Sequence, residues 1–218
     1  MQNDKKLLGV AIKKNAVILA VFAMASTATV ALVYQFTKDK IAQEVERVMN
    51  QQLNTLVDAN QYNNQPNLDC ILIADHKEDS PHTINKIFRM RKNQQPIAAI
   101  FSVTATNGYS GNIDMMVAFS TNQMLLGIAV LNHSETPGLG DKIESHKSEW
   151  SRQFDNISLS NKNDKSWRVK KDGGDFDALT GATITPRAVI GSIHESVKYF
   201  LNNQSNIFEM KANCPTNQ

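Results

Sequence analysis

The polarity of the chain falls into blocks with different periods. From Ala16 to Tyr34 no charged residue occurs, and only Ser26, Thr27 and Thr29 are polar. At about 1.5 Å per residue such a run extends roughly 28 Å as a helix, close to the ~30 Å hydrocarbon thickness of a bilayer, so it predicts one crossing. Beyond it, Ile41, Val45, Val48, Leu53, Leu56 and Val57 recur at helix-like spacing among Lys, Glu, Arg and Gln. That pattern predicts an amphipathic helix over 37–60 continuing from the anchor. Asn, Gln and Pro66 then make 61–67 a loop.

The period changes to two in the next stretch. Apolar and β-branched alternation marks Asp69–Ala74, Lys86–Arg91, Ile97–Thr106, Ile113–Ser120 and Gln123–Leu131 as strands, with turn residues such as Asn107, Gly108, Ser110 and Gly111 between them. Short connections of this kind predict an antiparallel sheet. Asp141–Phe154 reads as a short helix or two, 161–165 as a polar loop, and Trp167–Lys170 as a further strand. Near the end, Val189, Ile193, Val197 and Phe200 fall on one helical face, predicting a helix over Pro186–Asn203. Pro186 suits its first turn and Thr185 its N-cap. The fold class is α+β: a single N-terminal transmembrane helix, then a mostly antiparallel sheet with flanking helices. The expected divisions are 1–36 for the cytoplasmic N-terminus and anchor, 37–66 for the amphipathic helix and linker, and 67–218 for the external domain. No internal repeat is visible.

Size and charge narrow the class. A chain of 218 residues holds one ordinary domain plus an appendage. Its formal net charge of +2, from 23 basic and 21 acidic residues, is too balanced for a nucleic-acid binder. Lys5, Lys6, Lys13 and Lys14 precede the apolar run against one acid, Asp4, whereas Lys38 and Lys40 after it are interleaved with Asp39 and followed by Glu44 and Glu46. The positive-inside rule therefore puts the N-terminus in the cytoplasm and the domain outside. A cleaved leader is the alternative. The apolar stretch exceeds the usual 7–15 or so residues of a leader core, and no small-x-small site is followed by a plausible mature terminus, which favours a retained anchor.

Cys70 and Cys214 are the only cysteines, and they form no CxxC or Cys/His arrangement, so no structural zinc site is expected. An oxidising compartment would let them pair. Pairing needs Cα atoms within about 7 Å, which spacing does not decide, so a disulfide and two unpaired thiols both stay open.

Three segments carry candidate chemistry. Asp177, Ala178, Leu179, Thr180, Gly181, Ala182, Thr183, Ile184 and Thr185 place small residues and hydroxyls before the last helix, where unpaired N–H groups and the dipole favour an anion. Arg187 could add a charge-assisted contact to a phosphate there. The plainer reading is that Thr183 and Thr185 cap the helix and Gly181 makes a turn, and the residues alone leave both open. The second segment runs from His133 through Ser134, Glu135, Thr136, Pro137, Gly138, Leu139 and Gly140 to Asp141 and Lys142. Its Pro and Gly residues predict a tight loop; His133 and Glu135 without a third ligand make a weak metal case. The third is Gly108, Tyr109, Ser110, Gly111, where the ring of Tyr109 either meets a ligand or packs half-buried.

Asp177–Thr183 matches the pattern Asp-x-x-Ser/Thr-Gly-Ala-Thr and resembles the site at which a periplasmic flavin transferase attaches FMN to threonine. Glu135–Gly140 resembles the Glu-Thr-Pro-Gly-Leu-Gly loop that packs on the flavin in FMN-binding domains, and Gly108–Gly111 is similar to a turn in the same domains. In this order and spacing the three segments resemble the G subunit of the Rnf-type electron-transport complex, called Rsx in enteric bacteria. The likeness runs over nearly the whole chain.

The resemblance implies covalent FMN, held by a phosphoester to Thr183, with Asp177, Thr180, Gly181 and Ala182 as the rest of the attachment motif; Thr185 and Arg187, from their place at the helix start, are expected beside its phosphate. It also implies that Glu135, Thr136, Gly138 and Leu139 pack on the flavin and that Tyr109 and Ser110 lie near the isoalloxazine or ribityl chain. Thr183 would be an attachment point, with no catalytic residue and no metal ligand in the chain. The implied role is an electron relay, not an independent enzyme, in an inner-membrane complex coupling electron flow between ferredoxin and NAD to cation transport. Its implied partners are the other Rnf/Rsx subunits, the flavin transferase during maturation, and the lipid bilayer, with no nucleic acid. The alternatives are the related C subunit of the sodium-pumping NADH:quinone reductase, usually longer, and a cofactor-free envelope protein that binds a partner or cell-wall polymer.

Overall fold

The computed structural model describes residues 2–73, 82–161 and 163–214. By its own contacts the chain divides into two compact units, Met1–Gln51 and Gln52–Gln218. The first unit is the body of one unbroken helix, α1 (Gln2–Leu56). Its stretch from Lys13 onward is long and apolar enough to cross a membrane, and its most apolar window buries nothing within the chain. The threonine hydroxyls of the apolar run are satisfied within the helix. Thr27 and Thr29 donate back to the carbonyls of Ala23 and Ala25 at 2.8 and 2.9 Å, which is how Ser and Thr are tolerated where no water is at hand.

The amphipathic reading of 37–60 holds only at its end. Ile41 and Val48 are exposed, while Leu53 and Val57 are fully buried in the second unit. The helix stops at Leu56 because the Asp58 carboxylate caps a short 3-10 turn, Ala59–Gln61, accepting the Asn60 N–H at 2.8 Å.

The second unit is built on one antiparallel meander in strand order β1 (Cys70–Leu72), β2 (His82–Lys92), β3 (Gln95–Ala105), β4 (Ile113–Ser120), β5 (Met124–His133) and β6 (Ile157–Ser158). Strands β2 to β5 follow one another through short turns, as the turn residues between them require, whereas 134–156 make a long excursion before β6. Ala74, the last residue of the predicted first strand, lies outside the described residues. Strand β2 begins earlier than expected, because the irregular register between Ile84 and Lys86 interrupts its alternation. Strand β6 is too short to leave a pattern. Trp167–Lys170 is not a strand: Gly173 (φ +82°) folds 170–176 back on itself, so that only Val169 bridges Phe176 and Lys170–Asp172 forms a 3-10 turn. The expected short helices in 141–154 are two 3-10 turns, Gly140–Ile143 and Trp150–Phe154. Of the polar loop 161–165, residue 162 is outside the described residues, and Asn163 closes a turn by accepting the Lys165 N–H at 3.0 Å.

Helix α2 (Ile184–Glu209) lies on the sheet through the face foreseen from its spacing, with Val189, Ile193, Val197 and Phe200 buried. Phe200 stacks on Phe119 at 4.8 Å between centroids, and Phe119 meets Phe101 edge-on at 5.1 Å. A second aromatic group, Trp150, Phe154, Phe176 and Trp167, fills the space under the loops that follow β5. The helix is longer than predicted, and its C-terminal end has no basic residue in the last turn. Strand β2 supplies the charge instead: buried Arg89 donates to Ile207 O at 3.1 Å and Arg91 to Phe208 O at 2.7 Å, and both arginines pair with Asp69. Cys70 and Cys214 are joined, with Cα atoms 5.7 Å apart across 144 residues of sequence. Next to the bond, Asn213 Oδ1 accepts the Leu72 N–H at 2.6 Å and covers part of the free edge of β1.

Candidate flavin site

The three segments singled out in the sequence converge on one end of the sheet, around the start of α2. The segment after Phe176 is fixed by its backbone rather than its side chains. Asp177 N–H donates to Gln153 Oε1 and Asp177 O accepts from Trp150 Nε1, both at 2.6 Å, which ties the motif to the Trp150–Phe154 turn. Leu179 is buried, and the Ala182 N–H returns to Leu179 O at 3.2 Å. This turn needs Gly181 at φ +83°, the left-handed region where a side chain is strained. In consequence Thr180 and Thr183 are thrown to the surface while Leu179 anchors the loop.

Thr183 is the N-cap of α2, but its side chain caps nothing and makes no hydrogen bond among the described residues. Sequence reasoning assigned the cap to Thr185. The structure corrects this: Thr185 is inside the helix, 1% exposed, and its hydroxyl donates to the carboxylate of Glu135. Pro186 keeps its place in the first turn, where a missing N–H costs nothing. Without a side-chain cap, the first-turn N–H groups and the positive end of the dipole are left for another acceptor beside Thr183.

Glu135 is the polar centre of the site. It is 4% exposed, and its second oxygen accepts the Ser110 N–H at 3.0 Å, so one carboxylate joins the Gly108–Gly111 turn, the 135–140 loop and α2. The space around it is small. A Cβ on Gly140 would come within 2.7 Å of Glu135 Oε2 and 2.8 Å of Thr185 Oγ1, which accounts for a glycine there.

These elements wall a cavity of about 260 Å³. Of the residues expected at the cofactor, Tyr109, Glu135, Thr136, Leu139, Gly181, Ala182, Thr183 and Thr185 line it. Asp177, Thr180, Ser110, Gly138 and Arg187 do not. Asp177 pairs with Lys170 at 2.6 Å, Gly138 (φ +78°) only turns the loop, and Ser110 contributes its backbone to Glu135. Arg187 makes a two-point pair with Asp172 at 2.6 and 2.8 Å and also donates to Thr183 O at 3.3 Å. The hydrogen bonds from Arg187 hold the Asp172 carboxyl below its ordinary value. Two lining residues escaped the sequence reading, Gly140 and Ile184. Gly140 was inside the recognised loop; Ile184, an exposed apolar residue in a helix's first turn, left only that oddity as a signal.

The fit to FMN rests on three features. A free, exposed hydroxyl stands at an uncapped helix N-terminus suited to a phosphate. Tyr109, Leu139 and Ile184 are 66%, 41% and 45% exposed at the cavity mouth and offer an apolar bed for a flat ring. The cavity is at the small end for a cofactor pocket, so part of a bound ring would stay open to the outside.

Such a sheet, loop and helix start define an FMN-binding domain, and residues 108–198 match the family model of that description; residues 1–56 match the RnfG N-terminal region. The chain is 41% identical over 204 residues to the G subunit of the ion-translocating oxidoreductase complex of Shewanella baltica, covering 94% of this chain and 96% of the relative. It is 39% identical over 204 residues to the corresponding protein of Vibrio cholerae, covering 94% and 97%. The chain belongs to the family of G subunits of the ion-translocating oxidoreductase complex. A crystal structure of Shewanella oneidensis NqrC is a distant likeness, with TM-score 0.37 and 22% identity over 52% of this chain and 60% of that one, and supports no further inference.

Proposed function

We propose that this chain is the membrane-anchored flavin carrier of an ion-translocating electron-transfer complex, holding FMN as a phosphoester on Thr183. The observation that carries the attachment reading is the Thr183 hydroxyl: exposed, without a hydrogen-bond partner among the described residues, and set at the N-terminus of α2 at the rim of the cavity. FMN accepts one electron or two, so the bound group supplies the redox chemistry and the protein supplies position and environment. The first turn of α2 would face the phosphate, and Tyr109, Leu139 and Ile184 would border the ring. Arg187, held by Asp172 and the Thr183 carbonyl, would fix the backbone at the attachment point.

The anchor is α1, and the domain is assigned to the periplasmic side. Two independent features support this: the lysines before the apolar run, and the Cys70–Cys214 bond, which persists in an oxidising compartment. A flavin transferase acting on that side would find Asp177, Thr180 and Thr183 exposed on one loop. The other subunits of the complex would exchange electrons at the open mouth of the cavity. Producing the full chain alongside an active transferase and reading flavin fluorescence in denaturing gels tests the assignment, with Thr183→Ala as the dark control.

A further inference from the structure

Behind Glu135 stands a histidine whose tautomer the backbone dictates. His133 closes β5; its Nδ1 accepts the Glu135 N–H at 3.0 Å, and its Nε2 lies 2.8 Å from Glu144 Oε1. A backbone N–H can only donate, so Nδ1 presents its lone pair. The carboxylate of Glu144 accepts, so Nε2 carries the hydrogen. The ring is therefore the neutral Nε2–H tautomer. A second proton has one place to go, Nδ1, where it would meet the Glu135 N–H donor against donor. With the side chain only 10% exposed, water cannot readily take over either partner.

The charged groups around the ring lie on the segment after the loop. Glu144 is shared with Lys147, whose Nζ is 2.5 Å from Oε1, and with His146, whose Nε2 is 3.2 Å from Oε2. Hydrogen bonds from Lys147, and then from His133, hold the Glu144 carboxyl below its ordinary value. Lys147 also reaches Asp141 Oδ2 at 3.2 Å. From β4 the residue paired with His133 is Ile113, which brings no charge. On its own segment the neighbouring carboxylate, Glu135, spends both oxygens on Ser110 and Thr185.

We infer that His133 is a positioning residue that latches the flavin cavity: through the Glu135 N–H it holds the carboxylate that joins the Tyr109 turn, the 135–140 loop and the start of α2, and its protonation releases that latch. Below the ring's titration the loop bearing Thr136 and Leu139 loses its hold beside Glu135, and the cavity wall loosens. Above it the wall is closed. The effect on cofactor rests on the flavin reading given above; the latch itself is a property of the chain with or without FMN.

The test uses the full-length chain in detergent micelles, both flavin-free and flavinylated. Nitrogen NMR of the histidine rings identifies the His133 tautomer, and amide exchange, corrected for its intrinsic pH dependence, reports the Glu135 N–H. The expected result is an Nε2–H ring at neutral pH and a Glu135 amide whose protection falls roughly five- to tenfold as the ring protonates. His133→Asn, whose Oδ1 can replace Nδ1 as acceptor but does not titrate, should keep the amide protected throughout that pH range. His133→Phe should leave it unprotected at every pH; should that variant not fold, the Asn variant still decides. In the flavinylated chain, flavin emission should change with the same midpoint in the native protein and stay flat in His133→Asn. An Nδ1–H tautomer at neutral pH, or a Glu135 amide indifferent to the ring's titration, would overturn the latch. A latch that opens while flavin sits on another residue would support the latch and overturn the flavin reading.

Discussion

The Thr185 hydroxyl donates to the buried carboxylate of Glu135, 50 residues earlier in the chain, while Thr183, two positions before it, faces outward with no hydrogen-bond partner among the described residues. One short motif therefore holds a structural threonine and a free one. Thr185→Val leaves a buried carboxylate oxygen without a donor and should lower stability by about 1–3 kcal/mol. Thr183→Val should change it by less than about 0.5 kcal/mol. Thermal melts of the two variants check this, and equal losses would contradict the division of roles.

The glycines of the loop should separate in the same way. Gly140→Ala drives a methyl to within 2.7 Å of Glu135 Oε2 and 2.8 Å of Thr185 Oγ1, neither of which is free to retreat. It should destabilise the domain by about 1–3 kcal/mol, the usual range for overpacking, and weaken flavin labelling. Gly138→Ala meets no atom within 4 Å and should show only the strain of φ +78°, about 1 kcal/mol, with labelling kept. Melts and in-gel flavin fluorescence of the two variants, side by side, check the contrast.

These relationships also mark what could and could not be read from the residues. The buried face of α2 was legible because Val189, Ile193, Val197 and Phe200 share a helical stripe, and β4 because Met115–Phe119 is a short apolar run bounded by turn residues. The loop before α2 was singled out by its motif, and Gly181, Ala182 and Thr183 of that loop line the cavity. The pairing of Glu135 with Thr185 was not, because no local pattern reports a hydrogen bond between a β-loop and a helix start. The same holds for Arg89 and Arg91, charges on a strand whose purpose is set by the carbonyls of a helix end far along the chain. The mistaken strand at Trp167–Lys170 has a related cause: β-favouring residues were read without the left-handed turn at Gly173 that folds them back.

Reduction of the Cys70–Cys214 bond should be costly. It closes most of the second unit into a loop of 144 residues, for which the chain-entropy estimate is about 5 kcal/mol. The double substitution Cys70→Ser, Cys214→Ser should lower the denaturant midpoint markedly and raise the slope, because the unfolded chain without the cross-link exposes more surface, and an unchanged midpoint would show that the bond contributes little.

His82 supplies a pH test of stability. Its Nδ1 lies 2.7 Å from Ser192 Oγ, and burial, opposed by Glu195 and assisted by Lys198 and His194, holds the ring below its ordinary 6.5. The unfolded chain takes up this proton at a higher pH than the folded one. Its contribution is therefore complete above pH 6.5, is lost as pH falls below that value, and levels off once the folded ring also protonates. Melting temperature should fall between neutral pH and about pH 5 more steeply in the native chain than in His82→Asn; parallel curves would contradict the assignment.

The most direct test of the central claim is the mass of the tryptic peptide containing Thr183, taken from full-length chain made in cells with an active flavin transferase. This peptide should carry one FMN as a phosphoester on Thr183, and Thr183→Ala should yield an unmodified peptide from a folded protein. An unmodified Thr183 in the native chain, or FMN on another residue, would contradict it.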